Sequence, residues 1–118
     1  MTFELYKKTR ATTEAEEVSI SAAGIITISP SLTDNHLKSI EYVELYFDSA
    51  TRKVGIKPIK QKTRYSYQLL RPANSRRSAI SGRGFLSSYK INQADQGKFK
   101  PQKFDATFED GMLIFRTK

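Results

Sequence analysis

The chain has 118 residues, 38% of them hydrophobic, with no cysteine and a single histidine. That length suits one domain able to bury a core without cross-links, and the lack of cysteine excludes structural disulfides, iron–sulfur clusters and thiolate zinc sites. The net charge of +8 is unevenly spread: residues 1–50 hold eight acids and four bases, residues 51–118 four acids and sixteen bases.

The opening stretch MTFELYKKTRATTEAEE lacks the apolar run of a signal peptide. No segment approaches the roughly 20 apolar residues of a membrane span. A cytoplasmic protein without a membrane partner is therefore expected. Residues 3–8 read as a short strand with Phe3 and Leu5 inward, and residues 9–17, without apolar periodicity, as a loop. A strand is expected at Val18–Ile20, a tight turn at Ala22-Ala23-Gly24, and a returning strand at Ile25–Ile28. Ser29-Pro30 has the form of a helix start, with serine as cap and proline at the first position. The helix should run over about residues 30–38 and bury Leu32 and Leu37.

Tyr42 to Ile59 carries the clearest pattern. Val43, Leu45 and Phe47 alternate with Glu44, Tyr46 and Asp48, and Val54 and Ile56 alternate with Gly55 and Lys57. Period-two alternation places each apolar set on one face of a strand. The connection Asp48–Lys53 is too short for a crossover helix, so an antiparallel hairpin follows. Pro58 should mark a strand end or an edge. Thr63–Leu70 reads as a further strand with Tyr65, Tyr67 and Leu69 on one face, and residues 71–79 as a loop. Ser81 should cap a second helix that buries Phe85, Leu86 and Tyr89. Residues 92–103 read as a basic surface loop. Phe104, Ala106 and Phe108 then alternate, Glu109-Asp110-Gly111 turns, and Met112–Phe115 returns. The fold class expected is α+β, mostly antiparallel β. It is a single domain, residues 1–118, with a small barrel-like core of two related halves of β-hairpins and a short helix, residues 18–60 and 63–118.

The stretches VSISAAGIITISPSL and YVELYFDSATRKVGIKPI together resemble the AbrB/MazE swapped-hairpin family. The resemblance covers residues 18–60 and rests on the order of strand, glycine turn, strand, proline-started helix and strand pair. It implies that two copies interleave into one small barrel, across a homodimer or, in duplicated members, within one chain. It also implies transcriptional control by DNA binding, often as an antitoxin. The family usually places Lys or Arg beside the turn glycine and after the helix proline; here those places hold Ala22, Ala23, Ile25, Ser31 and Leu32. Arg76, Arg77 and Arg83 lie near the matching place of the second half, so a one-sided DNA surface is expected.

Between Arg52 and Lys103 stand fourteen bases and one acid, Asp95. Such a block suits a polyanion, nucleic acid above all. Lys57, Lys60, Lys62, Arg64, Arg71, Arg76, Arg77 and Arg83 are the expected phosphate contacts, with DNA favoured over RNA. Aromatics interleave with these cations, but Tyr65, Tyr67, Phe85 and Phe104 fit core positions, which ranks stacking on bases second. Catalysis has little support. His36 has no nucleophile or second ligand near it in sequence, and Glu14, Glu16 and Glu17 lack metal-loop spacing. Gly82-Arg83-Gly84 lacks the third glycine and the Lys-Ser/Thr of a phosphate loop. The sequence therefore points to a non-enzymatic nucleic-acid-binding protein without cofactor. The other reading is a protein-interaction module, an antitoxin-like partner or assembly subunit, whose acidic and basic halves pair with each other's counterparts or with a charged protein.

Overall fold

A computed structural model describes residues 16–71, 76–94 and 97–117. The strand expected at residues 3–8 and most of the loop that follows lie outside them. The described chain forms β1 (Glu17–Ile20), β2 (Ile25–Ile28), α1 (Pro30–His36), β3 (Tyr42–Asp48), β4 (Lys53–Ile59), β5 (Tyr67–Gln68), β6 (Ser78–Ser81), α2 (Arg83–Ser88), β7 (Gln102–Glu109) and β8 (Met112–Arg116). Every strand pairing is antiparallel. The strand order is β5-β3-β4-β8-β7-β1-β2-β6. A single antiparallel bridge, Leu70 to Ala79, brings the two ends together and nearly closes the sheet into a barrel. The α+β, mostly antiparallel, barrel-like class read from the sequence is the class observed.

The order has a property that sequence position alone does not suggest. Exchange β1, β2, β3 and β4 with β5, β6, β7 and β8, and the same cyclic order returns. No hydrogen-bonded ladder joins the β1–β2 hairpin to the β3–β4 hairpin. β8 and β7 lie between them on one side, β6 and β5 on the other. The hairpin of each half thus sits among strands of the other half. The helices repeat the exchange. His36, at the end of α1, stacks on Phe108 of β7 with ring centroids 4.1 Å apart, while Tyr89, just after α2, packs on Phe47 of β3 at 4.7 Å.

Inward side chains of both halves build one core. Val18, Ile20, Ile26, Ile28, Val43, Val54, Ile56, Ile80, Leu113 and Phe115 fill the barrel, and Leu32, Leu37, Phe85 and Leu86 of the helical segments close over it. The alternation read at residues 43–47 and 54–56 is the observed register, with Val43 opposite Pro58 and Phe47 opposite Val54. Proline is tolerated within β4 because only residues 53–56 pair with β8; beyond them β4 has no second neighbour to receive an N–H. The turn at Gly24 also stands as expected. The Gly24 N–H donates to the Ser21 carbonyl, 3.0 Å, and its φ of +85° suits glycine. A Cβ there would lie 2.9 Å from the Phe99 ring.

Several expectations need correction. Ser29 is the N-cap position of α1, but its side chain does not cap; it accepts from the Glu17 N–H at 3.2 Å and ties the helix start to β1. Glu17 belongs to β1, not to the preceding loop, and α1 stops at His36. The strand read over 63–70 shrinks to Tyr67–Gln68, because Thr63 and Ser66 bond each other into a turn. The Thr63 N–H donates to Ser66 Oγ at 3.0 Å and Ser66 Oγ donates to the Thr63 carbonyl at 2.9 Å. Tyr65 sits on that turn, exposed rather than in the core. Residues 78 and 79, read as loop, begin β6, and Ser81 ends it instead of capping α2, whose N-cap is Gly82. Tyr89 is 45% exposed, its ring resting on Phe47 and Phe85 rather than in the core. In the stretch 92–103, Phe99 is buried and its N–H donates to the Ala22 carbonyl, while Gln102 and Lys103 already belong to β7. That segment is partly a packed strap over the β1–β2 turn.

Candidate nucleic-acid interface

The eight expected phosphate contacts are all exposed, and they stand on different elements with different partners. Outward positions of β3 are Tyr42, Glu44, Tyr46 and Asp48, and those of β4 are Lys53, Gly55 and Lys57. Lys57 stands directly opposite Glu44. The chain leaves β4 at Ile59 and carries Lys60, Lys62 and Arg64 along the connection to β5. That connection folds back against β3, since Thr63 Oγ1 donates to Glu44 Oε2 at 2.8 Å. Lys57, Lys60, Lys62 and Arg64 are therefore brought together at one end of the β3–β4 hairpin.

Glu44 is the acid within this group. Its second oxygen accepts from the Tyr46 hydroxyl at 3.0 Å. The hydrogen bonds from Thr63 and Tyr46, with a smaller contribution from the charge on Lys57, hold its carboxyl below the usual glutamate range. The same bond pushes the Tyr46 phenol up, because losing its proton would set two negative charges side by side. Both carboxylate oxygens are thus turned to hydroxyls of the protein, and the neighbouring cations keep a net positive surface.

The other four arginines are placed differently. Arg71 turns its guanidinium onto the segment after α1, donating to the carbonyls of Leu37, of Ile40 at 2.8 Å and of Lys38 at 3.5 Å. Its role is to hold that connection. Arg76 forms a two-pronged ion pair with Asp34 of α1, through Nε at 3.1 Å and through Nη2. Arg77 follows it, immediately before β6. Arg83 opens α2 at the far end of β6 and donates to the Gly97 carbonyl at 3.1 Å. Arg76 and Arg77 thus flank one end of a four-residue strand and Arg83 the other. The loop 71–83 does not present a single arginine surface.

The aromatics sort just as sharply. Phe85, Phe99 and Phe104 are buried, which removes them from any surface role, and Tyr67 is half-buried against the core. Tyr65 is 73% exposed, with the Arg64 guanidinium 5.6 Å from its ring centroid. Tyr46 is 46% exposed on the outward face of β3. The sequence placed Tyr65 on the core face because it alternates with Tyr67 and Leu69. Thr63 and Ser66, a hydrogen-bonding pair three residues apart, were the signal for a turn.

Beside Tyr46 lies a shallow apolar hollow of about 180 Å³, lined by Val54, Gly55, Met112 and Ile114 and edged by Asp48 and Lys53. Gly55 forms its floor; a Cβ there would meet the Met112 sulfur at 3.0 Å. His36 is half-buried against Phe108. Among the described residues no three of His, Asp or Glu gather as a metal site. No helix of the described residues is long and apolar enough to cross a membrane. Neither a protein-family model, nor a curated protein, nor a solved structure matches the chain.

Proposed function

We propose that the protein is a non-enzymatic nucleic-acid-binding protein of the cytoplasm, a regulator built on interleaved, AbrB-like halves. The observation that carries this reading is the exposed run Lys57, Lys60, Lys62 and Arg64, gathered at one hairpin end around an acid whose oxygens are already engaged. Four cations on one short track neutralise successive phosphates and release their counterions. The exchanged hairpins and the reciprocal helix contacts support the resemblance to swapped-hairpin proteins at the level of chain path. Arg71, Arg76 and Arg83 are engaged with the Leu37–Ile40 carbonyls, Asp34 and the Gly97 carbonyl, so the phosphate surface is narrower than the charge count implies.

The test is fluorescence anisotropy with labelled oligonucleotides over a salt series, on protein freed of co-purified nucleic acid. Log affinity should fall steeply with log salt. Replacing Lys57, Lys60, Lys62 and Arg64 together by Gln should flatten the slope by about 3. A salt response that is flat from the start would sink the reading.

The hollow at Gly55 favours a second reading, a protein-interaction module that uses this apolar outer face. Its mark would be self-association or partner binding that Gly55→Leu abolishes while nucleic acid is not bound at all.

A further inference from the structure

We infer that the nucleic acid bound by this hairpin end is unpaired, and that Tyr65 is the platform on which a base stacks. This rests on the phosphate-binding reading above and narrows it. A side chain that is 73% exposed, aromatic and held on a turn has no packing role to explain its position. The turn itself is fixed: Thr63 and Ser66 share three hydrogen bonds, and Thr63 is anchored to Glu44 of β3. The ring is therefore presented by a braced loop.

Its surroundings fit the chemistry of a single strand. Lys60, Lys62 and Arg64 precede it in the chain and Lys57 lies on the adjoining strand, which supplies a line of positive charge for a backbone. Tyr46, a second exposed ring, on the outward side of β3, is linked to that loop through the carboxylate of Glu44. A duplex hides its base faces in the stack, so an outward ring gains nothing from it. An unpaired base offers a π-face of any sequence, and a charged groove beside aromatic rings is the general solution for binding such strands. Arg64, 5.6 Å from the ring centroid, is placed to hold the ring on one side while leaving the other open to a base. DNA and RNA share this chemistry.

The experiment compares oligo-dT, oligo-U and a mixed-sequence DNA duplex of equal length by anisotropy over a salt series, with affinities ranked at one moderate salt concentration. At least one single strand should bind more tightly than the duplex, and the tighter of the two is the preferred strand. Tyr65→Ala should weaken single-strand binding roughly tenfold or more, change duplex binding by less than about twofold, and leave the salt slope in place. Tyr65→Phe should bind like the parent, because the ring is kept. Duplex binding as tight as the tighter single strand would overturn the inference while leaving the phosphate reading standing, as would a Tyr65→Ala variant that loses nothing or loses both ligands equally. No salt-dependent binding to any of the three probes would remove both.

Discussion

At the scale of single residues, the same side-chain chemistry serves opposite ends. Arg71 and Arg64 are both exposed arginines in the basic half, seven positions apart. Arg64 lies over an exposed ring, whereas Arg71 reaches back to the carbonyls of Leu37, Lys38 and Ile40. Those carbonyls follow a short helix, where the chain has no ladder of its own, and a guanidinium offers five donors in a fixed fork to satisfy them. Arg71→Ala should therefore cost about 1–2 kcal/mol, the order of a charge-assisted hydrogen bond at a partly exposed place. In a thermal melt this is a fall of roughly 4–8 °C. Single-strand affinity, measured well below that melting range, should change by less than threefold. A melting temperature that does not move, with affinity lost, would return Arg71 to the phosphate-contacting set.

At the scale of elements, the joint between α1 and β6 is polar at its centre. Thr33 and Ser78, forty-five positions apart, share a hydrogen bond of 2.9 Å between buried hydroxyls, and Thr33 Oγ1 also donates to the Ile28 carbonyl at 3.4 Å. No buried side-chain polar atom among the described residues lacks a partner. Thr33→Val keeps the shape and leaves the wholly buried Ser78 hydroxyl alone, at a cost of about 1–3 kcal/mol. Ser78→Ala leaves Thr33 its bond to Ile28 and should cost less. The double variant should be more stable than the sum of the two losses predicts, by about 1 kcal/mol, in a denaturant-unfolding cycle. Strict additivity would mean that the hydroxyls do not cooperate. This joint also marks where sequence reading fails. β3, β4 and β7 were legible because their apolar residues alternate over five positions, and β8 because a short apolar run, Met112–Phe115, follows the Glu109-Asp110-Gly111 turn. β6 was not, since Ser-Ala-Ile-Ser has only two apolar residues and follows a run rich in Arg and Ser. Its strand form comes from pairing with β2, a tertiary cause that no local pattern carries. The basic hairpin end was legible as charge. The exposure of Tyr65 was not, because an alternating pattern outweighed the turn chemistry of Thr63 and Ser66, and the inward use of Arg71 and Arg76 depends on partners more than thirty positions away.

At the scale of the whole molecule, the exchange of hairpins makes the two halves dependent on each other. In the first half, β1 pairs with β2 and β3 with β4, and no ladder connects the two pairs. In the second, Leu70 bridges to β6 and β7 pairs with β8, again with no ladder between them. Every ladder that joins these units crosses from one half to the other: β4 to β8, β7 to β1, β2 to β6 and β3 to β5. An isolated two-stranded hairpin is marginal in water, and three or more strands with a covered apolar face are needed for independent stability. A chain cut between Lys60 and Gln61 should therefore give two fragments with little strand content when each is kept dilute and alone. Mixed in equal amounts, they should regain the circular dichroism and the cooperative melt of the intact protein, at a midpoint that rises with concentration, as binding linkage requires. Because each half presents the partner edges of the other, one fragment at high concentration has a second route, a homodimer in which two identical halves interleave. Sedimentation of each fragment distinguishes that dimer from the mixed pair. A fragment that folded cooperatively as a monomer would show that its hairpins find each other without help, and the exchange of hairpins would then be a property of the final packing rather than a condition for it.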